Sequence, residues 1–207
     1  MTSRLQELAR PRPRPGKAPE EQCDLCAEPI PPEHRHLIDL ESRRLLCACR
    51  ACSILFDRSG AGGGHYRLIP DRVVAVEDAG LDDQTWQSFG IPVEMAFFFH
   101  SSAAGRVVAF YPSPLGATES LLDLDAWDER VLAELQPDVE ALLVNRTKGR
   151  REHWIVPVDR CYELVGIVRT HWRGFTGGDE VWQALDEFFD SLRKEATWQG
   201  SRSASRT

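Results

Sequence analysis

The string Cys23-Asp-Leu-Cys26, then His34-Arg-His36-Leu-Ile-Asp-Leu40, then Cys47-Ala-Cys49-Arg-Ala-Cys52-Ser-Ile-Leu-Phe56 decides how this chain is read. Each Cys-x-x-Cys pair offers two thiolates from one tight turn. Two such pairs complete the tetrahedron that zinc accepts, with each sulfur at about 2.3 Å. The pairs 23/26 and 49/52 are separated by 22 residues, slightly more than the roughly 15–20 usual for a paired zinc motif. A hairpin accounts for the excess. Strands predicted over His36–Leu40 and Arg44–Ala48, around a polar Glu41-Ser42-Arg43 turn, fold the second pair back onto the first. Ser53–Phe56 can then start a helix. Knuckle, hairpin and helix in that order describe a treble-clef finger; without the helix the module is a zinc ribbon. So short a module has little apolar core, and its ion would supply much of the folding energy. The expected ligands are Cys23, Cys26, Cys49 and Cys52.

Three further residues compete for attention. Cys47 lies two positions before Cys49, on the same face of an extended strand and about 6.6 Å away. That spacing makes sharing one ion awkward, so Cys47 reads as a packed thiol or an alternative ligand. His34 and His36 are alternates that would each replace a cysteine, or plain hairpin histidines. The same thiols also suit iron, either one ion or an iron–sulfur cluster, so the leading assignment of zinc has iron as its alternative. His34-Arg-His36 hints at a treble-clef nuclease, but the second histidine-bearing helix such a site needs is absent after Cys52. Cys161, with no adjacent histidine, reads as a buried structural thiol.

Outward from the module, residues 1–20 carry a Pro/Arg-rich segment expected to be flexible, and Ser59-Gly-Ala-Gly-Gly-Gly64 marks a break. The expected organisation is therefore a metal module over 21–58, an α+β domain over 65–195 with a mainly antiparallel sheet, and a disordered tail over 196–207. Short strands are predicted over Tyr66–Ile69 and Val73–Val76, with a short helix over Leu81–Phe89. Val93–Phe99 and Arg106–Tyr111 form a predicted hairpin at the centre of the sheet. Helical character follows over Val131–Leu135, then strands over Val139–Val144 and Trp154–Val158. Two helices close the pattern, over Asp159–Thr170 and Asp179–Lys194, with Asp159 and Asp179 as expected N-caps. Tyr111–Glu119, rich in turn residues, reads as a loop. Trp172-Arg-Gly-Phe-Thr-Gly-Gly178 reads as a capped turn rather than an anion site, since it lacks the Lys-Ser/Thr of a P-loop.

Net charge is -7, and the chain has no basic stripe of the kind nucleic acids attract, so a nucleic-acid-binding finger is the third-ranked function. No run of 18 or more apolar residues exists and the N-terminus lacks a secretory apolar core, so a cytoplasmic protein with no membrane insertion is expected. Thiols in that compartment stay reduced and serve metals.

Cys23-Asp-Leu-Cys26 with Pro32-Glu-His-Arg-His-Leu37 and Leu45-Leu-Cys-Ala-Cys-Arg-Ala-Cys52 resembles the start of an uncharacterised actinobacterial family. Phe98-Phe99, Arg106-Val-Val-Ala-Phe-Tyr-Pro-Ser-Pro114, Gly116-Ala-Thr-Glu-Ser120 and Trp172-Arg-Gly-Phe175 resemble its later blocks, so the likeness spans about 20–195. Members of that family are encoded beside the genes of nickel–iron hydrogenases. The resemblance implies an accessory role in hydrogenase assembly, stability or electron transfer, with a hydrogenase subunit or maturation factor as protein partner. It supplies no catalytic residues, and no triad or paired carboxylates can be read in the sequence. The leading expectation is a non-enzymatic zinc protein; an iron redox protein using the same cysteines is the alternative.

Overall fold

A computed structural model describes residues 21–57, 64–120, 131–174 and 176–198. The expected flexible N-terminal segment, nearly all of the glycine break and the tail beyond residue 198 lie outside these described residues.

Two sheets organise the chain. The first has three strands in the order β2-β1-β3, from β1 (Arg35–Asp39), β2 (Leu45–Ala48) and β3 (Tyr66–Leu68). β1 and β2 form the expected hairpin, with Arg35 opposite Ala48 and His36 opposite Cys47. Its turn is built by Asp39, whose carboxylate accepts from Glu41 N at 3.0 Å and from Ser42 Oγ at 2.7 Å. Helix α1 (Arg50–Phe56) follows directly.

The second sheet has seven strands in the order β10-β4-β9-β8-β5-β6-β7. They are β4 (Val74–Ala75), β5 (Met95–Ser101), β6 (Arg106–Ser113), β7 (Gly116–Ser120), β8 (Glu140–Asn145), β9 (Glu152–Pro157) and β10 (Thr197–Trp198). All pairings are antiparallel except β10 against β4. A mixed α+β architecture with antiparallel sheets is therefore correct. The β5–β6 hairpin is not central, however. The middle strand is β8, which is buried along its whole length. A strand covered on both faces shows no alternation, so its apolar run Ala141–Val144 gave no sign of which position it held.

The period-two alternation of β5 separates two cores. Met95, Phe97 and Phe99 point to one face, under α3 (Val158–His171) and α4 (Asp179–Glu195), where Leu164, Val168, Leu185, Phe188, Phe189 and Leu192 cover them. Ala96 and Phe98 point to the other face. There they meet Trp86 and Phe89, at the end of α2 (Asp83–Ser88), and Leu132 and Leu135 around a short 3-10 turn at Leu132–Glu134. The expected helix over Val131–Leu135 is thus one tight turn.

Three local expectations are corrected. Tyr111–Glu119 is the end of β6, a turn and β7, with Pro112 paired to Ala117 and Ser113 to Gly116. Pro112 is tolerated because β5 pairs with β6 only as far as Phe110, so its missing N–H breaks no ladder on that side. Asp159 does not cap α3: Pro157 occupies the cap position without a side-chain bond, and Asp159 is engaged elsewhere. Asp179 lies in the first turn of α4, and Gly178 at φ 80° occupies its cap.

The small sheet packs on the large unit. Ile38, Ile69, Val139 and Val158 share one buried cluster with Leu40, Leu45 and Tyr162 around it. Arg43 Nη2 donates to Ser101 Oγ at 2.8 Å and Arg67 Nη1 to Pro137 O at 3.0 Å.

Candidate metal centre

The first knuckle is a tight reversal in which Cys23 N donates to Glu28 O at 2.9 Å and Ala27 N to Cys23 O at 2.8 Å. Ala27 at φ 60° takes the left-handed turn. The second knuckle is the start of α1, where Cys49 is the N-cap and its sulfur accepts from Cys52 N at 3.4 Å. A thiolate at a helix N-terminus is stabilised by those amides. The two knuckles are joined by Asp24, which donates N–H to Cys47 O at 2.9 Å and accepts Cys47 N at 2.6 Å on Oδ2.

This brings Cys23, Cys26, Cys49 and Cys52 together, with all four sulfurs within 4.8 Å of one another. Cys26 Sγ and Cys49 Sγ, one from each knuckle, are 3.7 Å apart. A tetrahedral ion with sulfurs at about 2.3 Å sets them about 3.8 Å apart. All six cysteines are free thiols. The four residues expected as ligands are the four that converge, and this group could hold a metal ion.

The electrostatics show why the group wants a cation. Burial raises the Cys23 thiol, but backbone N–H groups of Cys49, Leu25 and Cys26 outweigh it and hold Cys23 at about 6. Burial pushes Cys52 strongly upward, and the neighbouring thiols add to the effect. One negative charge is accommodated and the next is resisted. Four thiolates in so small a volume require a positive ion among them.

Cys47 is not a member of this group. It stands with His34 and His36 in a second set, one ligand atom from each lying within 4.8 Å of the others. The hairpin register explains the division. His36 and Cys47 are opposite each other on one face, while Leu37 and Leu46 are opposite on the other, in a core with Cys23 and Cys52. Burial raises the Cys47 thiol, and Asp24, Glu21 and Cys23 raise it further. His36 Nδ1 meets Asp159 Oδ2 at 2.9 Å, an interaction that raises the imidazole against the opposing effect of burial. Asp159 is a residue of this second set's surroundings that sequence reading missed. Its local signal pointed to a helix cap, and its partner is 123 residues away.

Cys161 lies at 0% exposure on the core-facing side of α3, and burial lifts its thiol well above the ordinary range, as expected of a structural cysteine. Around the Trp172–Gly178 turn polar groups are paired locally: Trp172 Nε1 donates to Gly174 O, Trp182 Nε1 to Thr176 O, and Arg173 N to Gly177 O. No helix of the described residues is long and apolar enough to cross a membrane.

Searches of curated proteins and of solved structures return no significant match. A family model does match, over residues 22–196, which takes in the cysteine knuckles, the seven-stranded sheet up to its last strand and both long helices. The chain thus belongs to a family of unknown function, DUF5947.

Proposed function

We propose that the chain is a non-enzymatic zinc-binding accessory protein of the cytoplasm, supporting nickel–iron hydrogenase assembly or stability through protein–protein contacts. The observation that carries the zinc half is the convergence of four thiols from two knuckles, at a separation that suits one tetrahedral ion. A multi-iron cluster attaches its thiolates to different irons and spreads them further apart, so the compact group favours a single ion. In this reading the order of knuckle, hairpin and helix is that of a treble clef. The hydrogenase half rests on the resemblance of the sequence blocks quoted above. Ile54 and Leu55, 59% and 56% exposed on α1, give the module an apolar surface for a partner.

Anaerobic purification followed by metal analysis and a visible spectrum tests the metal, with Cys23→Ser as control. Colourless protein containing zinc, with metal lost in the variant, is the expected result; iron with visible thiolate absorbance overturns it in favour of an electron carrier. Affinity capture from an extract that contains a hydrogenase tests the partner. Enrichment of a hydrogenase subunit or maturation factor, reduced by Ile54→Asp/Leu55→Asp, is expected. Capture that never enriches either one refutes the partner assignment.

A further inference from the structure

We propose that His34, His36 and Cys47 form a second metal site, separate from the four-cysteine group, which takes a divalent ion of zinc's character and leaves one coordination position exchangeable. The inference does not depend on hydrogenase or on which metal fills the first site.

His34 Nδ1 lies 2.9 Å from Pro31 O and 3.1 Å from Pro32 O. Carbonyl oxygens only accept, so Nδ1 carries the hydrogen and Nε2 carries the lone pair. The side chain is 7% exposed, and Nε2 is buried with no hydrogen-bond partner. A desolvated lone pair with nothing to bind is costly, and a buried polar atom of this kind calls for an occupant. His36 repeats the pattern. Its Nδ1 faces Asp159 Oδ2 at 2.9 Å, so the neutral ring donates there and again leaves Nε2 free. Histidine ligands characteristically donate their second nitrogen to a carboxylate or a backbone carbonyl, which fixes tautomer and ring orientation. Here one histidine uses each kind of acceptor.

The third ligand follows from the register. Cys47 stands opposite His36 on β2, and its backbone is fixed at both N–H and C=O by Asp24. The two rings lie edge to face with centroids 4.8 Å apart. A zinc ion with two nitrogens at about 2.0 Å and a sulfur at about 2.3 Å wants donor separations of about 3.3–3.6 Å. The three ligand atoms already lie within 4.8 Å, and small side-chain rotations close the difference. Three protein ligands with a fourth position open is the composition of zinc sites that exchange a ligand, whereas four thiolates make a closed structural site. Of the three, His34 lines a cleft of about 930 Å³, bounded also by Pro29, Arg50, Ile54 and Leu68, which gives a route from the exterior to that ligand. Asp159 belongs to the first turn of α3, so an ion here would tie the hairpin to the large unit through His36.

The test loads the full chain with zinc, removes loosely held metal by gel filtration and counts zinc per chain, with Co²⁺ loading in parallel. Wild type is expected to hold two ions. Cys47→Ser and His34→Gln are each expected to hold one, retaining the multi-thiolate cobalt spectrum of the first site and losing the weaker single-thiolate contribution. Asp159→Asn, acting through His36, is expected to weaken only the second ion, by about 10- to 100-fold in a chelator competition, with partial rescue by Asp159→Glu. One ion per wild-type chain at saturation overturns the proposal. So does a second ion that survives both Cys47→Ser and His34→Gln. Failure of the first site is read separately, as Cys23→Ser and Cys52→Ser variants that keep the full multi-thiolate spectrum.

Discussion

Stripping the metal from the four-cysteine group should unfold the segments that carry it and leave the seven-stranded sheet intact. Among the described residues, the apolar core beside those thiols has Leu25, Phe56, Tyr66 and Leu68 partly buried at its edge and only three buried large aliphatic side chains, Ile30, Leu37 and Leu46. At about 1.5–3 kcal/mol for each buried side chain, they contribute roughly 5–9 kcal/mol. A structural zinc ion contributes an apparent ~10–16 kcal/mol at neutral pH. The ion therefore outweighs the three buried side chains, and the two knuckles should lose their order without it. The hairpin has a second support in Ile38, which is 5% exposed and packed with Val139 and Val158, so it should loosen less than the knuckles. Hydrogen exchange read by mass spectrometry, before and after chelation confirmed by metal analysis, separates these regions. Peptides covering 23–30 and 49–56 should lose protection almost completely, 35–48 should lose part of it, and 95–101 and 140–157 should be unchanged. Unaltered protection across 49–56 in verified metal-free protein would refute the argument, because it would mean that packing alone holds α1.

Glu140 is 0% exposed and takes a bidentate bond from Arg72, with Nε to Oε1 at 2.5 Å and Nη2 to Oε2 at 2.8 Å, whereas the Arg72 side chain is 45% exposed. Removing the arginine strands a buried carboxylate, while removing the carboxylate charge lets the arginine hydrate. Arg72→Met should therefore cost about 3 kcal/mol and Glu140→Gln about 1 kcal/mol in urea unfolding, and the reverse order would contradict this reading. His153 is 8% exposed, with neither ring nitrogen partnered, and burial, reinforced by Arg146, lowers its pKa. The unfolded chain takes up this proton first, so stability is full above about pH 6.5 and falls as pH drops below that towards the folded pKa. His153→Phe should flatten the slope between about pH 5 and 6.5 relative to wild type; parallel curves would count against it. A Cβ at Gly177, which sits at φ +89°, would lie 2.8 Å from Val181 Cγ1 and 3.2 Å from Trp172. Gly177→Ala should cost about 2–3 kcal/mol and perturb tryptophan fluorescence, and a variant as stable as wild type would show that the turn before α4 can relax.

The convergence of the four cysteines was legible because thiolate chemistry restricts spacing so strongly that two pairs and a hairpin-length gap leave few arrangements. The β1–β2 hairpin followed from the same constraint, whereas α1 begins at Arg50, before the Ser53 start expected of it. The α4 stripe, Val181, Leu185, Phe188, Phe189 and Leu192, was equally plain because a long helix repeats its pattern several times. What stayed hidden depended on distant partners. Asp159 looked like a cap because sequence shows only its neighbours. The strands around Pro112 and Gly116 were obscured because turn formers sit at a hairpin tip where β6 pairs with β7 but has already run past β5. His34, His36 and Cys47 were visible individually, but their separation from the four converging cysteines appears only once the two faces of the hairpin are assigned.

The isolation of Cys161 has a practical consequence for handling the protein. Five of the six thiols stand in the hairpin and its knuckles, and this one is sealed in the large core on α3 with its ionisation suppressed. An alkylating reagent applied to the metal-free native chain should therefore stop at five adducts, and the sixth should appear only as the long helices lift off the sheet. The mass of the labelled protein then reads two opening events on one molecule: modification of the first five thiols reports the release of the knuckles, and the slow final adduct clocks the breathing of the large core.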